Sequence, residues 1–184
     1  MRGRCAQRWR KFLAAILFFA ALPLPVLIAS TVVRAAGICA LVRNEHDPSE
    51  TILRCGQSLT VQPAHGTRYR MIYRRGQALP AGARLDAGAL LIEFHRGAED
   101  SDFQILTPLA IAAVRGTKWA MEVSQARTST LVLAGAVAVT SRRLNQYVVL
   151  TEGQGVDISQ GDTSVVQKQW GQARVRALLA RFGQ

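Results

Sequence analysis

Acidic residues, histidine and cysteine are all scarce in this 184-residue chain, which holds 12 Asp and Glu, three His and three Cys. His46, His65 and His95 are scattered, with no second histidine or cysteine at ligand spacing, so no metal centre is predicted. There is no G-x-S-x-G, no G-x-x-x-x-G-K-[ST] and no H-E-x-x-H, which removes the local signatures of hydrolytic, phosphate-cradling and zinc-protease chemistry. Gly153-Gln154-Gly155 opens like a dinucleotide fingerprint, but Ile158 stands where the third glycine belongs and no helix follows. The acids gather at Glu45/Asp47/Glu50 and Glu99/Asp100/Asp102. Calcium takes about six to eight oxygen ligands from a spaced loop, which neither cluster offers, so both read as solvated turns. The expectation is a protein without catalytic residue, metal or cofactor.

Positive charge is abundant but unevenly placed. Lys and Arg number 23, for a formal net charge of +11. Arg2, Arg4, Arg8, Arg10, Lys11 and Arg34 all fall within residues 1–36, which contain no acid; the remainder carries 17 basic against 12 acidic residues, or +5. The excess is thus largely an N-terminal device, which weakens a nucleic-acid reading. Phe12 to Val33 then run for 22 residues without a charge, followed by Ala35-Ala36-Gly37. A basic start, an apolar run and small residues form the export pattern. The run exceeds the usual ~7–15 residues and is long enough to span a ~30 Å hydrocarbon core, so an uncleaved anchor through 12–33 stands beside a cleaved signal peptide. The small residues favour cleavage near Ala35–Ala36, and both alternatives place the rest of the chain in the periplasm or otherwise outside the cytoplasm. Ile38 before Cys39 does not fit a lipoprotein site. Cys5 lies in the leader, so an oxidising envelope leaves Cys39 and Cys55 to form a disulfide around a loop of about 15 residues.

Beyond the leader the pattern is strand after strand. Tyr69, Met71 and Tyr73 alternate with Arg68, Arg70 and Arg74; Leu90, Ile92 and Phe94 with Glu93 and His95; Trp119, Met121 and Val123 with Lys118, Glu122 and Ser124. Period-two alternation punctuated by glycine at 66, 76, 82, 97, 116, 135, 153 and 161 predicts an all-β fold. Three stretches (Leu85–Ile92, Leu133–Val139 and Leu150–Ile158) share one grammar, an apolar strand end, a glycine turn and an alternating strand. A β-roll or short solenoid and a sandwich of hairpins both accommodate it. Val175, Leu178, Leu179 and Phe182 have helical spacing, with Gly183 as a stop, so an amphipathic helix led by Trp170 closes the chain against the β-structure. The alternation in Arg68–Arg74 puts the aromatics in the core and the arginines on a solvated face, opposite to what base stacking on a single strand requires.

Thr107-Pro108-Leu109-Ala110-Ile111-Ala112-Ala113-Val114-Arg115-Gly116-Thr117-Lys118-Trp119 resembles the signature of the FecR domain family, in which a Thr-Pro element leads into Val-Arg-Gly-Thr and an aromatic. Thr130–Val139, centred on Gly135, is similar to the family's next strand–glycine–strand segment, and Leu150-Thr151-Glu152-Gly153-Gln154 to its closing element. The resemblance covers roughly residues 103–158 and implies an extracytoplasmic β-domain that, in iron-uptake regulators, is joined to a cytoplasmic anti-sigma segment by a membrane helix. Here only about a dozen residues precede the apolar run, too few for a folded cytoplasmic domain, so the expectation is a stand-alone exported domain. The predicted organisation is a leader or anchor at 1–36, a FecR-like β-domain at 37–169 and a C-terminal helix at 170–184.

Thr107, Pro108, Arg115, Gly116, Thr117, Gly135 and Gly153 are read first as turn builders. Glycine takes positive φ freely, threonine bonds turn backbone, and Arg115 is placed to pair with Glu93 or Glu122. The functional expectation is a non-enzymatic binding or signalling module of the cell envelope, recognising an unidentified envelope protein or polymer and no nucleic acid. The alternative is an envelope structural protein held electrostatically on anionic polymer or lipid.

Overall fold

The structure is a computed structural model that describes residues 39–45, 48–95, 102–114 and 116–184. The apolar run 12–33, the Ala35–Ala36 boundary, His46, Asp47, Glu99, Asp100 and Arg115 lie outside the described residues. Among those described are thirteen strands and one helix. The strands are β1 (Cys39–Arg43), β2 (Thr51–Cys55), β3 (Leu59–Pro63), β4 (Arg68–Ile72), β5 (Gly82–Phe94), β6 (Phe103–Leu106), β7 (Ala110–Val114), β8 (Thr117–Val123), β9 (Arg127–Ala134), β10 (Ala136–Ser141), β11 (Tyr147–Thr151), β12 (Gln154–Ser159) and β13 (Gln167–Gln169). The helix is α1 (Gln172–Ala180). The all-β expectation with a closing helix is what the chain adopts.

The strands form two layers that share β5. One layer runs β1-β2-β3-β5-β8-β9-β12-β13, and the other runs β4-β5-β6-β7-β10-β11. Residues 82–87 of β5 pair with β4, and 82–84 with β6 in a parallel pairing; residues 88–94 pair with β8 and 90–94 with β3. The long strand changes layer at Gly88, where φ is +90° and a Cβ would lie 2.5 Å from the Thr67 hydroxyl oxygen. That hydroxyl both donates to the Ala89 carbonyl and accepts from its N–H, pinning the bend.

Between the layers lies the main core, filled by Leu85, Leu90, Ile92, Phe103, Ile105, Trp119, Met121, Val132, Val139 and Leu150. Phe94 and Phe103 stack with ring centroids 5.7 Å apart. The alternation in Lys118–Val123 holds, with Trp119, Met121 and Val123 inward. In β4 it holds only in part. Tyr69 and Met71 are half-buried against the core, but the strand ends at Ile72 and Tyr73 is 54% exposed rather than core.

The repeated glycine grammar marks layer crossings. Gly88 is where β5 changes layer, Gly135 separates β9 from β10, and Gly153 separates β11 from β12; Gly116, outside the three repeated stretches, makes the same passage between β7 and β8. An apolar strand end, a sharp turn and a new alternating strand is the local pattern of a corner that folds a sheet onto itself.

The outer face of the first layer is closed by the end of the chain. Trp170, Leu178 and Phe182 pack with Ala64, Ala89, Leu91, Ala120 and Leu131 in a second apolar cluster. The small residues on the strands leave room for the aromatics: a Cβ on Gly155 would collide with the Trp170 indole. The Gln62 side-chain amide donates to the Phe182 carbonyl at 2.8 Å, fixing the end of the helix to β3. Two arginines of this segment hold carboxylates on the strands. Arg174 grips Asp157 with two bonds of 2.6 and 2.8 Å while its guanidinium lies 3.4 Å from the Trp170 ring centre, and Arg181 pairs with Glu122. Such planar, bidentate carboxylate recognition is what a guanidinium supplies and an ammonium does not. Cys39 and Cys55 sit opposite each other in the β1–β2 ladder and form a disulfide.

Candidate binding surface

The six described turn residues divide between the two ends of the β-structure. Thr107 and Pro108 form the β6–β7 turn at one end. Gly116, Thr117 and Gly135 meet at the other, where Gly153 makes the β11–β12 crossing; Arg115 lies outside the described residues. Glu122, one of the two carboxylates expected to pair with Arg115, is taken by Arg181, and Glu93 lies 3.1 Å from the His95 ring.

The Gly116 and Gly135 corners are stacked. Gly116 has φ +74° and open space where a Cβ would project, whereas a Cβ on Gly135 (φ +85°) would come within 2.7 Å of the Gly116 carbonyl oxygen. The Thr117 hydroxyl donates to the Ala136 carbonyl at 3.2 Å, tying the β8 start to the β10 start.

At the opposite end Thr107 is buried and its hydroxyl is fully engaged. It donates to the Ala110 carbonyl at 2.9 Å, accepts from the Ala110 N–H at 2.9 Å, and lies 3.1 Å from the Thr128 hydroxyl, which completes its second lone pair. Pro108, in the turn's first central position, suits the fixed φ that such turns use. The Thr107 carbonyl accepts from the Arg142 guanidinium at 3.1 Å, and the Leu109 carbonyl from the Arg142 N–H at 2.9 Å. Thr128 and Arg142, which hold this turn, were not singled out by sequence. Their spacings of 21 and 35 residues from Thr107 carry no local pattern, and only the strand pairing brings them there.

A cleft of about 650 Å³ opens beside this turn, lined by Pro108, Leu109, Arg68, Asp86, Gln125 and Gln160 among others. Its walls come from the β5 bend, the β8–β9 turn and the end of β12. Asp86 is neutralised by Arg84 at 3.0 Å. Among the described residues Arg68, Arg70, Arg74 and Arg75, all exposed along β4 and the turn after it, have no ion-pair partner. The cleft is therefore continuous with a strip of uncompensated positive charge. Burial, together with the charge of Glu50 and the neighbouring Tyr73, raises the Tyr69 phenol above its usual range, so the ring adds no anion to this strip. Among the described residues no three His, Cys, Asp or Glu side chains gather as a metal site, and no helix is long and apolar enough to cross a membrane.

Comparison with known proteins bears out the resemblance read from the motifs. Residues 72–138 match the family described as FecR protein, a span that holds β5 to β9, the Thr-Pro turn and the stacked glycine corners. Two crystal structures from Parabacteroides distasonis, at 1.65 and 2.50 Å resolution and each assigned as an anti-sigma factor, share the fold. Their TM-scores are 0.54 and 0.56, each at 16% identity over 78% of this chain. The chain spans 61% of the length of each of those chains. No curated protein matches it.

Proposed function

We propose that this chain is a non-enzymatic binding module of the bacterial cell envelope that relays a signal by docking an acidic segment of another envelope protein. Residues 1–36 export or anchor it, residues 37–169 form the binding domain, and residues 170–184 seal one face. The observation that carries the reading is the junction of the Thr-Pro cleft with Arg68, Arg70, Arg74 and Arg75, which have no ion-pair partner among the described residues. A concave site continuous with one sign of charge attracts and orients a partner of the other sign. The match of residues 72–138 to FecR proteins supports a role in regulation rather than metabolism, and the Cys39–Cys55 disulfide supports an oxidising compartment.

The arginines also favour a second reading, retention on anionic polymer or lipid. Crosslinking the tagged protein in intact cells separates the two. Capture of one defined protein, lost when Arg68 and Arg70 are changed to Ser together, is the expected result. Recovery of polymer or lipid alone, stripped by salt, would overturn the protein-docking reading and establish the other.

A further inference from the structure

Among the described residues the two layers end in four edge strands, β1 and β13 in one and β4 and β11 in the other. Exposed edges invite pairing with another chain, and natural proteins blunt them with charge, shortness or covalent restraint. β4 carries arginines, β13 has three residues and a lysine, and β1 is tied to β2 by the disulfide and ends in Arg43. β11, Tyr147-Val148-Val149-Leu150-Thr151, has none of these protections. Two of its three outward side chains are large, apolar and open, with Tyr147 70% and Val149 49% exposed, and the third is Thr151.

The backbone of β11 points the same way. Ser141 donates its N–H to the Gln146 carbonyl, which makes that pair and, by alternation, Val139–Val148 and Val137–Leu150 the hydrogen-bonded pairs of the β10–β11 ladder. Tyr147 and Val149 then direct their N–H and C=O groups away from β10, and no described residue bonds them. The Thr151 N–H, next in that row, takes the Gln154 side chain.

We propose that β11 is a homodimer edge, pairing antiparallel with β11 of a second copy about a two-fold axis near Val149. Three features select a second copy. The strand is bracketed by opposite charges, Arg143 before it and Glu152 after it, and neither has an ion-pair partner among the described residues. Antiparallel self-pairing turns each Glu152 toward the arginine turn of the other copy, whereas parallel pairing would set like beside like. A two-fold at Val149 also places Tyr147 opposite Thr151 of the other copy, so the outward row stays continuous across the junction; there the Tyr147 N–H meets the Thr151 carbonyl of the other copy while the Thr151 N–H keeps its Gln154 partner. An isologous contact of this kind closes at two copies, which keeps an unprotected edge from propagating into fibres. The edge lies across the layer from β4 and leaves the arginine strip free, so the inference is independent of the docking partner proposed above.

The test uses the full chain carrying two different tags, co-expressed in cells, with a benzophenone amino acid at position 149. Irradiation is expected to give a product of twice the mass bearing both tags. Glu152→Arg should abolish it, and Arg143→Glu/Glu152→Arg should restore it, a rescue that misfolding of the single variant cannot produce. An adduct with one tag and another protein, no adduct from protein that retains its unfolding transition, or failure of the double exchange to restore the product would each overturn the homodimer.

Discussion

The stacked corners allow backbone strain to be separated from steric conflict by paired substitutions. Gly116 and Gly135 have nearly the same φ, +74° and +85°, but the space where a Cβ would sit is empty at Gly116 and lies 2.7 Å from a carbonyl oxygen at Gly135. Gly116→Ala should therefore cost only the left-handed conformation, about 1–2 kcal/mol, less about 0.4–1 kcal/mol because alanine also restricts the unfolded chain. The net destabilisation lies between about 0 and 1.6 kcal/mol, with a midpoint of about 0.8 kcal/mol. Gly135→Ala pays the same and must also push the Gly116 carbonyl aside, adding about 1–3 kcal/mol for overpacking. For a domain of about 150 residues each kcal/mol shifts the melting midpoint by roughly 2–4 °C, so the two variants should differ by several degrees. Urea unfolding of wild type and both variants, fitted with a common slope, measures the difference. Gly116→Asn supplies a control, since Asn145 already adopts φ +53° in this chain; it should be milder than Gly116→Val, whose branched side chain is a steric outlier there. Equal losses at 116 and 135, or a larger loss at 116, would show that the corners are not stacked as described.

Three further outcomes are expected. Replacing Cys39 and Cys55 together with Ser should cost about 3 kcal/mol, the loop-closure value for their 16-residue separation, and a reductant should lower the wild-type midpoint but not that of the variant. Thr107→Val removes three hydrogen-bond contacts and strands the buried Thr128 hydroxyl, a loss of about 1–3 kcal/mol by denaturant titration; Thr107→Ser should recover most of it. Burial opposes the charged form of Asp157, but bonds from Arg174 and Ser129 and the charges of Arg174 and Arg127 outweigh it and hold its carboxyl below the usual carboxylate range. Its stabilising contribution is therefore complete above about pH 4, where an unfolded Asp is ionised, and is lost as pH falls through the lower folded value. Asp157→Asn should flatten the loss of stability below about pH 4, and an unchanged acid limb would contradict the Arg174 clasp.

Much of the fold was written locally. Alternation in Lys118–Val123 and glycines between apolar strand ends depend only on near neighbours, and these elements formed as expected. The failures have physical causes. Gly82 and Gly88 look like turn residues in sequence, yet both lie inside β5, because a glycine in a strand also serves where another backbone presses close: a Cβ at Gly82 would strike the Gln104 carbonyl. Tyr73 obeys the period-two rule, but alternation cannot say where a strand stops, and β4 ends one residue earlier. The Trp170 seat on Gly155, the Arg174–Asp157 clasp and the Arg142 brace join residues 15, 17 and 35 positions apart, so no local window contains them. The cleft is of the same kind, since its walls come from separate strands and turns. The signature turns were visible as a pattern, while the charge strip they border required the β4–β5 pairing to place it.

The sharing of β5 between the layers has a consequence for how the chain can be cut or can come apart. Its neighbours β3, β4, β6 and β8 extend from Leu59 to Val123, so a fragment ending before β8 leaves the second half of β5 without one of its two flanking strands. Neither layer holds a complete set of partners without the other. The two therefore lack a seam along which one could open while the other stays closed, and the amides of β5 should exchange with solvent only when the whole β-structure unfolds.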